Sequence, residues 1–323
     1  MHKIVLFFST FLSVFSCISQ GQPIQIGADT FYSNSSKLDI SQQNLDEFPR
    51  EIAQFSNVRE LSLDENYIKD IPDLPNWTNL ERLSLRGNRI QKITNLSHLN
   101  SLEFLDFWKN RIARIENLQT LTNLRILYLS ANPITKIENL EKLSKLEKLY
   151  LNSCKISTIE NLAFAKKLQV LELEKNVISD ASLLHSLKQL RVLKLKGNQF
   201  SSIPALDSLA NLEELSLGSN IQEITNLSKL KKLRILDLAG NQIEKLDNIW
   251  HLQDLEVLKV NGNPIKTLSQ LEKLPALKRV KIGEKHLKEV SRTTKSYLIE
   301  KGVIVNRTKA ETFFEKVPLA VLD

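Results

Sequence analysis

A pattern of Leu-x-Leu-x-x-Asn that returns every 22 residues constrains this chain more than any other feature. It is clear at Leu61, Leu63 and Asn66, and it recurs from Leu83 and, with Phe107 as the second apolar residue, from Leu105. A fixed period of this length is typical of a solenoid, in which each repeat packs only on its neighbours and the stacked repeats often form a binding surface. We therefore expect one elongated repeat domain, although 323 residues would ordinarily suggest two domains.

The asparagine of the pattern predicts a ladder of buried amides. A buried amide without partners is costly, so each one should bond backbone groups of its own and neighbouring turns. Cys154 takes this place once, and a small thiol that tolerates burial is interpreted as a structural substitute rather than a reactive group. One step of 21 residues occurs where Asn220 is followed directly by Ile221. The predicted ladder is Asn66, Asn88, Asn110, Asn132, Cys154, Asn176, Asn198, Asn220, Asn241 and Asn263.

The aliphatic residues of each repeat predict a short strand and a tight return. The two leucines of Leu-x-Leu point to one face of a strand, and the residue between them points to the other. Downstream aliphatic residues follow at a spacing of three, which suits a helical or 3₁₀ return with one buried stripe. We therefore predict an α/β repeat solenoid over residues 38–282. Its twelve strands begin at residues 38, 61, 83, 105, 127, 149, 171, 193, 215, 236, 258 and 280.

With these motifs, the chain resembles the 22-residue class of leucine-rich-repeat proteins. The segment Asn123–Leu140, NLRILYLSANPITKIENL, matches the pattern of that class almost position for position. The class includes bacterial internalin-like surface proteins and an intracellular regulatory subunit of protein phosphatase 1. The resemblance implies a horseshoe with about twelve short parallel strands on its concave face and 3₁₀ or helical returns on its convex face. It does not name a partner, because a fold alone does not specify function.

The N-terminus has the form of an export signal. Residues 1–16 have a basic start followed by an apolar run that is too short to span a bilayer comfortably. Cys17 follows a loose bacterial lipobox, which predicts a lipid anchor, with residues 17–37 as a linker; ordinary cleavage near Ser19 and Gln20 is the alternative. The protein is thus expected at the cell surface, outer membrane or periplasm if lipidated, and otherwise secreted. Two cysteines in total exclude a disulfide-stapled domain and favour a bacterial source, because animal extracellular relatives commonly carry cysteine-rich caps.

Residues 283–323 are predicted to be a C-terminal cap and tail. Val290, Thr294, Tyr297 and Leu298 have helical spacing, and Gly302 is a stop signal. The apolar residues 303–305 fit either a short strand or a plug. Most of the chain's formal charge of +7 lies at this end, where residues 278–323 hold 11 Lys or Arg against 6 Asp or Glu. A nucleic-acid reader would line its working face with that charge, so no nucleic-acid partner is expected.

The residues that alternate with the leucines predict a binding surface on the concave face. Trp108, Tyr128 and Tyr150 come from three successive strands. Aromatic residues ringed by charge are typical of protein-binding hot spots, and they also suit stacking on a sugar ring. The alternative interpretation is that these large side chains only pack on one another across strands. The predicted partner-binding residues are Trp108, Tyr128, Tyr150, Phe104, Arg86, Asp106, Glu172 and Lys194, with Arg82, Glu174 and Lys196 beside them.

No combination of residues predicts catalysis. The histidines are far apart in the repeat register, and no Gly-rich phosphate loop or Gly-x-Ser-x-Gly motif occurs. We therefore expect no cofactor, no metal and no enzyme activity. The leading hypothesis is an exported, monomeric bacterial protein that binds a host or cell-surface protein and touches a membrane only through Cys17. The alternatives are an intracellular phosphatase-type scaffold and a carbohydrate-binding surface protein.

Overall fold

The computed structural model describes residues 21–283 and 291–306. Packing divides the chain into two compact units, the first formed by residues up to Lys155 together with Glu160–Lys167, and the second by Ile156–Ile159 together with the chain from Leu168 onward. Each unit is built mainly from stacked three-residue parallel strands joined by tight returns. The predicted parallel-strand solenoid of about twelve turns with little helix is confirmed.

From residue 21 onward, the first unit contains eight strands. Strands β1 and β2 form an antiparallel hairpin, and β3 to β8 pair in parallel with aligned leucines. One 3₁₀ segment, Arg50–Gln54, lies between β3 and β4. The strands are β1 Pro23–Ile26, β2 Asp29–Tyr32, β3 Lys37–Asp39, β4 Glu60–Ser62, β5 Arg82–Ser84, β6 Phe104–Asp106, β7 Ile126–Tyr128 and β8 Lys148–Tyr150.

The second unit contains the remaining strands and the helix that was expected in the cap. The helix α1, Arg292–Glu300, begins at a Ser291 cap, and the backbone turns at Gly302 with φ 63°. Of the strand and plug alternatives for residues 303–305, the strand is observed, as β15. The 3₁₀ segments are Ser182–Ser186 and Ser269–Lys273. The strands are β9 Val170–Glu172, β10 Val192–Lys194, β11 Glu214–Ser216, β12 Ile235–Asp237, β13 Val257–Lys259, β14 Arg279–Lys281 and β15 Ile304–Asn306, all parallel.

The core of each turn is built from the residues that the repeat pattern marks. In the turn after β6, the stripe at three-residue spacing, Ile112, Ile115, Leu118, Leu121 and Leu124, is completely buried. Full burial of such a side chain contributes about 1.5–3 kcal/mol. The return bends through backbone bonds of the 3₁₀ type, such as the Leu121 N–H to the Leu118 carbonyl at 3.0 Å. Burial of these regularly spaced side chains therefore holds successive strands in register.

The asparagine ladder binds neighbouring turns as predicted. Asn132 is buried, and its Nδ2 donates to the carbonyls of Phe107 at 2.8 Å and Leu129 at 3.0 Å, while its Oδ1 accepts from the Ile112 N–H at 2.9 Å. Cys154 replaces the amide with a buried thiol that donates to the Leu129 carbonyl at 3.6 Å. Burial raises the pKa of this thiol to about 11, which suits a structural rather than a nucleophilic role.

Asn220 is an exception to the predicted ladder. It is exposed, and its N–H donates to the Phe200 carbonyl, the bond that Gln199 makes to Ile178 one turn earlier. Ser219 takes the ladder position instead, and its hydroxyl donates to the Asn198 carbonyl. Other turns place a left-handed residue just before the ladder position, and the 21-residue step lacks this residue. The shortened loop therefore moves Asn220 out of the ladder, a change that residue spacing in the sequence did not reveal.

Two further features were not predicted. The described part of residues 17–37, expected as a linker, contains the β1–β2 hairpin. Its Ile24 and Ile26 are buried, and its Phe31 packs edge-on against Phe55 with ring centroids 6.4 Å apart.

A second asparagine series lies on the returns, in left-handed conformations that asparagine tolerates. Each of its Nδ2 groups donates to an isoleucine carbonyl of an earlier turn. This series is Asn95, Asn117, Asn139 and Asn161 in the first unit, and Asn226 and Asn248 in the second.

Candidate functional site: an aromatic patch around Asp106

The candidate site lies on the outward face of the first unit's sheet, opposite the buried leucines. Leu105 and Phe107 are completely buried, so the alternation of strand β6 turns Phe104, Asp106 and Trp108 to the outward face. Parallel pairing places Tyr128 directly opposite Asp106, and Tyr150 opposite Tyr128. We call Phe104, Trp108, Tyr128 and Tyr150 the aromatic patch.

The rings of the aromatic patch pack on one another across the strands. Tyr128 and Tyr150 are stacked with parallel planes and centroids 4.1 Å apart. Phe104 is tilted against Tyr128 at 5.6 Å, and the guanidinium of Arg82 lies 3.8 Å from the centroid of the Phe104 ring. The four patch residues are half-buried. Cross-strand packing, the alternative to a binding role, thus occurs, but it leaves part of each side chain accessible to a partner.

Trp108 lies among charged groups at the end of strand β6. The guanidinium of Arg86 is 4.3 Å from the ring centroid, and the Lys109 ammonium is 5.6 Å away. Both cations also lie 3.9 Å from the carboxylate of Glu65. Sequence reasoning named Arg86 but missed Lys109 and Glu65. These two occupy the same loop position in different repeats, just before the ladder asparagine, so the repeat register was the signal that would have found them.

Asp106 is the buried charged group at the centre of the patch, with 9% of its surface exposed. Its Oδ1 accepts a hydrogen bond from the Trp108 N–H at 2.7 Å. Burial raises the pKa of this carboxyl from 3.8 to about 6, and the nearby Asp64 adds to the rise, while the Trp108 N–H and Arg86 oppose it. Loss of water favours the neutral form of an acid because the carboxylate loses its hydration. Asp106 is therefore poised to change charge near neutral pH.

Asp64, two turns earlier, occupies the position that Trp108 holds in its own turn, and its carboxylate has more partners than that of Asp106. Its Oδ1 accepts from the Ser84 hydroxyl at 2.5 Å and from the Arg86 N–H at 2.9 Å. Burial raises the pKa of Asp64 as well, but these hydrogen bonds and the charge of Arg86 counteract the rise. Asp64 thereby holds the backbone of Arg86, the residue whose guanidinium lies over the Trp108 ring. In contrast, the carboxylate of Asp106 accepts one hydrogen bond from the described residues, the one from the Trp108 N–H.

The predicted residues Glu172 and Lys194 belong to the second unit, where they form an ion pair. The Lys194 ammonium lies 2.9 Å from Glu172 and 3.6 Å from Glu214. Burial lowers the pKa of Lys194, but the neighbouring glutamates outweigh this effect and raise it overall. A second set links Asp237 to Lys196 at 3.3 Å and to Lys259 at 3.6 Å. The outward face of this unit is thus a band of mutually paired charges, in contrast to the aromatic face of the first unit.

The comparisons with known proteins agree with this architecture. A family model for two copies of leucine-rich repeats matches residues 56–100, 78–120, 100–142, 122–164 and 210–249, and a second leucine-rich-repeat model matches residues 144–200. Together these matches cover more than half of the chain. The chain belongs to the leucine-rich-repeat family. No curated protein matches this sequence.

Several solved leucine-rich-repeat proteins are similar to this one. An internalin from Listeria monocytogenes is 25% identical with a TM-score of 0.61, and the match covers 78% of this chain and 87% of the internalin. A leucine-rich-repeat protein from Leptospira interrogans is 24% identical with a TM-score of 0.62, and the match covers 85% of this chain and 73% of that protein. At this level of identity the similarity supports the fold alone. The plant peptide hormone receptor RGFR1, solved in complex with RGF2, is 26% identical with a TM-score of 0.57. There the match covers 74% of this chain but only 42% of the receptor. These similarities support a protein-binding leucine-rich-repeat module.

The remaining sequence predictions concern the anchor and metal sites. Cys17 and the predicted signal peptide lie outside the described residues. Within residues 21–283 and 291–306, no helix has the length and apolar character needed to cross a membrane. The same part of the chain contains no cluster of His, Cys, Asp and Glu side chains arranged to hold a metal ion.

Proposed function

We propose that this leucine-rich-repeat protein is an exported bacterial module that binds a host or cell-surface protein through the aromatic patch. The observation that carries the proposal is the half-buried group of four aromatic side chains around the desolvated carboxylate of Asp106. Tryptophan, tyrosine and arginine dominate the energetically important parts of protein interfaces. These residue types are concentrated at the patch, with Arg82 and Arg86 against its rings.

The similar structures support a protein as the partner. The internalin is 25% identical to this chain and the plant receptor 26%, and the receptor is solved in complex with RGF2. Stacking on a sugar needs open ring faces, and contacts within the patch already use one face of several rings. Arg86 lies over one face of Trp108, and Tyr128 and Tyr150 each cover one face of the other, which favours a protein partner over a sugar.

The test is a matched pair of tryptophan substitutions. We expect Trp108→Ala to weaken capture of surface proteins by about 2 kcal/mol, or roughly 30-fold in Kd, as is typical of a hot-spot residue. Trp250 is the control because it is 54% exposed and lies on a return segment rather than on a strand. Trp250→Ala should leave capture unchanged, and neither substitution should lower the unfolding temperature by more than a few degrees.

A direct binding titration of each captured protein completes this experiment. If Trp108→Ala lowers stability strongly and binding persists, the aromatic patch serves packing alone. Failure of any surface protein to bind, or equal losses for the two variants, also contradicts the proposal. A panel of glycans with Trp108 fluorescence as the readout separates the carbohydrate-binding alternative.

Export is tested by intact mass measurement on protein produced with its own N-terminus. Residues 1–16 and Cys17 support processing and lipidation, and labelling of Cys17 that is sensitive to globomycin would establish a lipid anchor. Cleavage near Ser19 would indicate a secreted protein instead. An unprocessed N-terminus would contradict export and favour the intracellular scaffold.

A further inference from the structure

Asp106 occupies an unusual place for a carboxylate. Along its own strand Phe104 and Trp108 lie two residues away on the same face, and across the sheet Tyr128 is its direct partner. Three aromatic residues of the patch therefore flank one acidic group. On the other side, its direct partner is Ser84, whose hydroxyl donates to Asp64 rather than to Asp106.

Within the described part of the chain, no cation neutralises this carboxylate at close range. Among the described residues, Asp106 forms no ion pair within 4 Å, and its hydrogen bond comes from the Trp108 backbone. Arg86 is near enough to influence it, but its guanidinium is placed over the Trp108 ring and beside Glu65. The matched position in the second unit is different, since Asp237 lies at the same place in its strand and has two lysine partners.

We propose that the patch recognises a basic side chain of its protein partner, a lysine or arginine whose charge meets Asp106 and whose methylene stem packs against the aromatic rings. This inference rests on the function proposed above and specifies the chemistry of that partner. An apolar side chain would remove the remaining water from the carboxylate without replacing its interactions, and an acidic one would be repelled by Asp106 and Asp64. A basic side chain supplies the missing counter-charge in a site of reduced solvent access, where an ion pair is stronger than in water.

The charges around the site permit this occupant. Asp64 and Arg86 act on Asp106 directly, and Tyr128 lies opposite it across the sheet. Arg82 and Lys109 contact rings of the aromatic patch, and Glu65 pairs with Arg86 and Lys109. Arg86 and Lys109 share Glu65, and Arg82 lies over Phe104, so each basic group already has a partner in the structure. With Asp106 ionised, the three acidic and three basic side chains balance. The basic side chain of a partner therefore meets no net positive potential at the patch.

The experiment uses displayed libraries of random 12-residue peptides without histidine. The full-length protein is the bait, and bound peptides are then measured by titration against the wild type, Asp106→Asn and Trp108→Ala. We expect selected peptides to contain a lysine or arginine whose replacement by alanine lowers affinity at least tenfold. Asp106→Asn should lower affinity for the same peptides by a similar factor, because the amide keeps the size of the side chain and removes its charge.

The pH dependence supplies a second readout. Wild-type affinity should fall as the pH is lowered from 7.5 to 5, because protonation removes the charge of Asp106, whereas Asp106→Asn should show little change. Lysine and arginine in the peptide keep their charge over this range. An affinity that does not change with pH in the wild type would overturn the proposal.

The variants separate this inference from the proposed function. If peptides lose binding to Trp108→Ala but bind Asp106→Asn within twofold of wild type, the patch is a binding site and the basic side chain is not its determinant. Selection of acidic peptides, or of peptides without a basic residue, overturns the inference in the same way. If no selected peptide depends on Trp108 for binding, the result counts against this inference and against the proposed function.

Discussion

Replacement of Asp106 by asparagine should stabilise the protein at neutral pH. The carboxyl has a pKa of about 6 in the folded protein, against 3.8 for an ordinary aspartate exposed to water. Between these values the folded state holds a proton that the unfolded state has lost, so stability falls as the pH rises through this window. It stays lower above pH 6. Asparagine is neutral at every pH and should not have this cost, and its side-chain oxygen can still accept the Trp108 N–H.

The magnitude follows from the two pKa values. At about 1.4 kcal/mol for each pH unit, the interval from 3.8 to about 6 amounts to roughly 3 kcal/mol at pH 7 and above. The same relation gives a destabilisation by the Asp106 carboxyl of only about 0.5 kcal/mol at pH 4. We regard about 3 kcal/mol as an upper limit, because 9% of the residue surface still meets solvent. The variant should therefore gain about 2–3 kcal/mol at pH 7.5 and almost nothing at pH 4.

Urea unfolding followed by circular dichroism at several pH values between 4 and 8 measures this difference. Asp237→Asn is the matched control, since Asp237 occupies the same position of a strand and is paired with Lys196 and Lys259. Its replacement leaves two lysines without their acidic partner, so it should lower stability. The reasoning is refuted if Asp106→Asn is destabilising at pH 7.5, or if its effect is the same at pH 4 and pH 7.5.

The other predictions concern the ladder and its thiol. Asn132→Ala should lower the free energy of unfolding by about 1–3 kcal/mol, because buried backbone groups of Phe107, Leu129 and Ile112 lose their partner. The control, Asn220→Ala at an exposed site, should have almost no effect on stability. Equal losses of stability in the two variants would contradict the ladder assignment. In a Cys17→Ser background at pH 8, a thiol reagent should label native Cys154 about 100-fold more slowly than urea-unfolded protein, since its pKa is about 11 against an ordinary 9.0. Equal labelling rates would show that the thiol is accessible and reactive.

The repeat pattern predicted most of the fold because burial follows the pattern directly. Leu105, Ile112 and Leu118 are buried at the positions that their spacing indicated. The exception at Asn220 arose because one missing residue can be placed at several points of a loop, and only the backbone shows which point is used. The β1–β2 hairpin was missed because its antiparallel pairing lies outside the 22-residue period.

The candidate site was predicted less completely. The repeat register brought Phe104, Trp108 and Tyr128 to one face, since it determines which side chains point outward. It did not indicate the electrostatic state of Asp106. That state depends on how tightly neighbouring rings exclude water and on where Arg86 places its charge. These are properties of side-chain packing, which residue spacing does not specify.

The short loop at Ser219 shows where this solenoid tolerates a change in repeat length. Leu215 still pairs with Leu236, although the two are 21 residues apart, and both remain completely buried. A slip of one residue within the strand itself would have turned that strand's leucines to the opposite face. Here the loss is confined to the loop between the strand and the ladder position. Insertions and deletions at this loop can therefore accumulate in one turn without disturbing the others, which makes the loop the natural place to vary or engineer the protein.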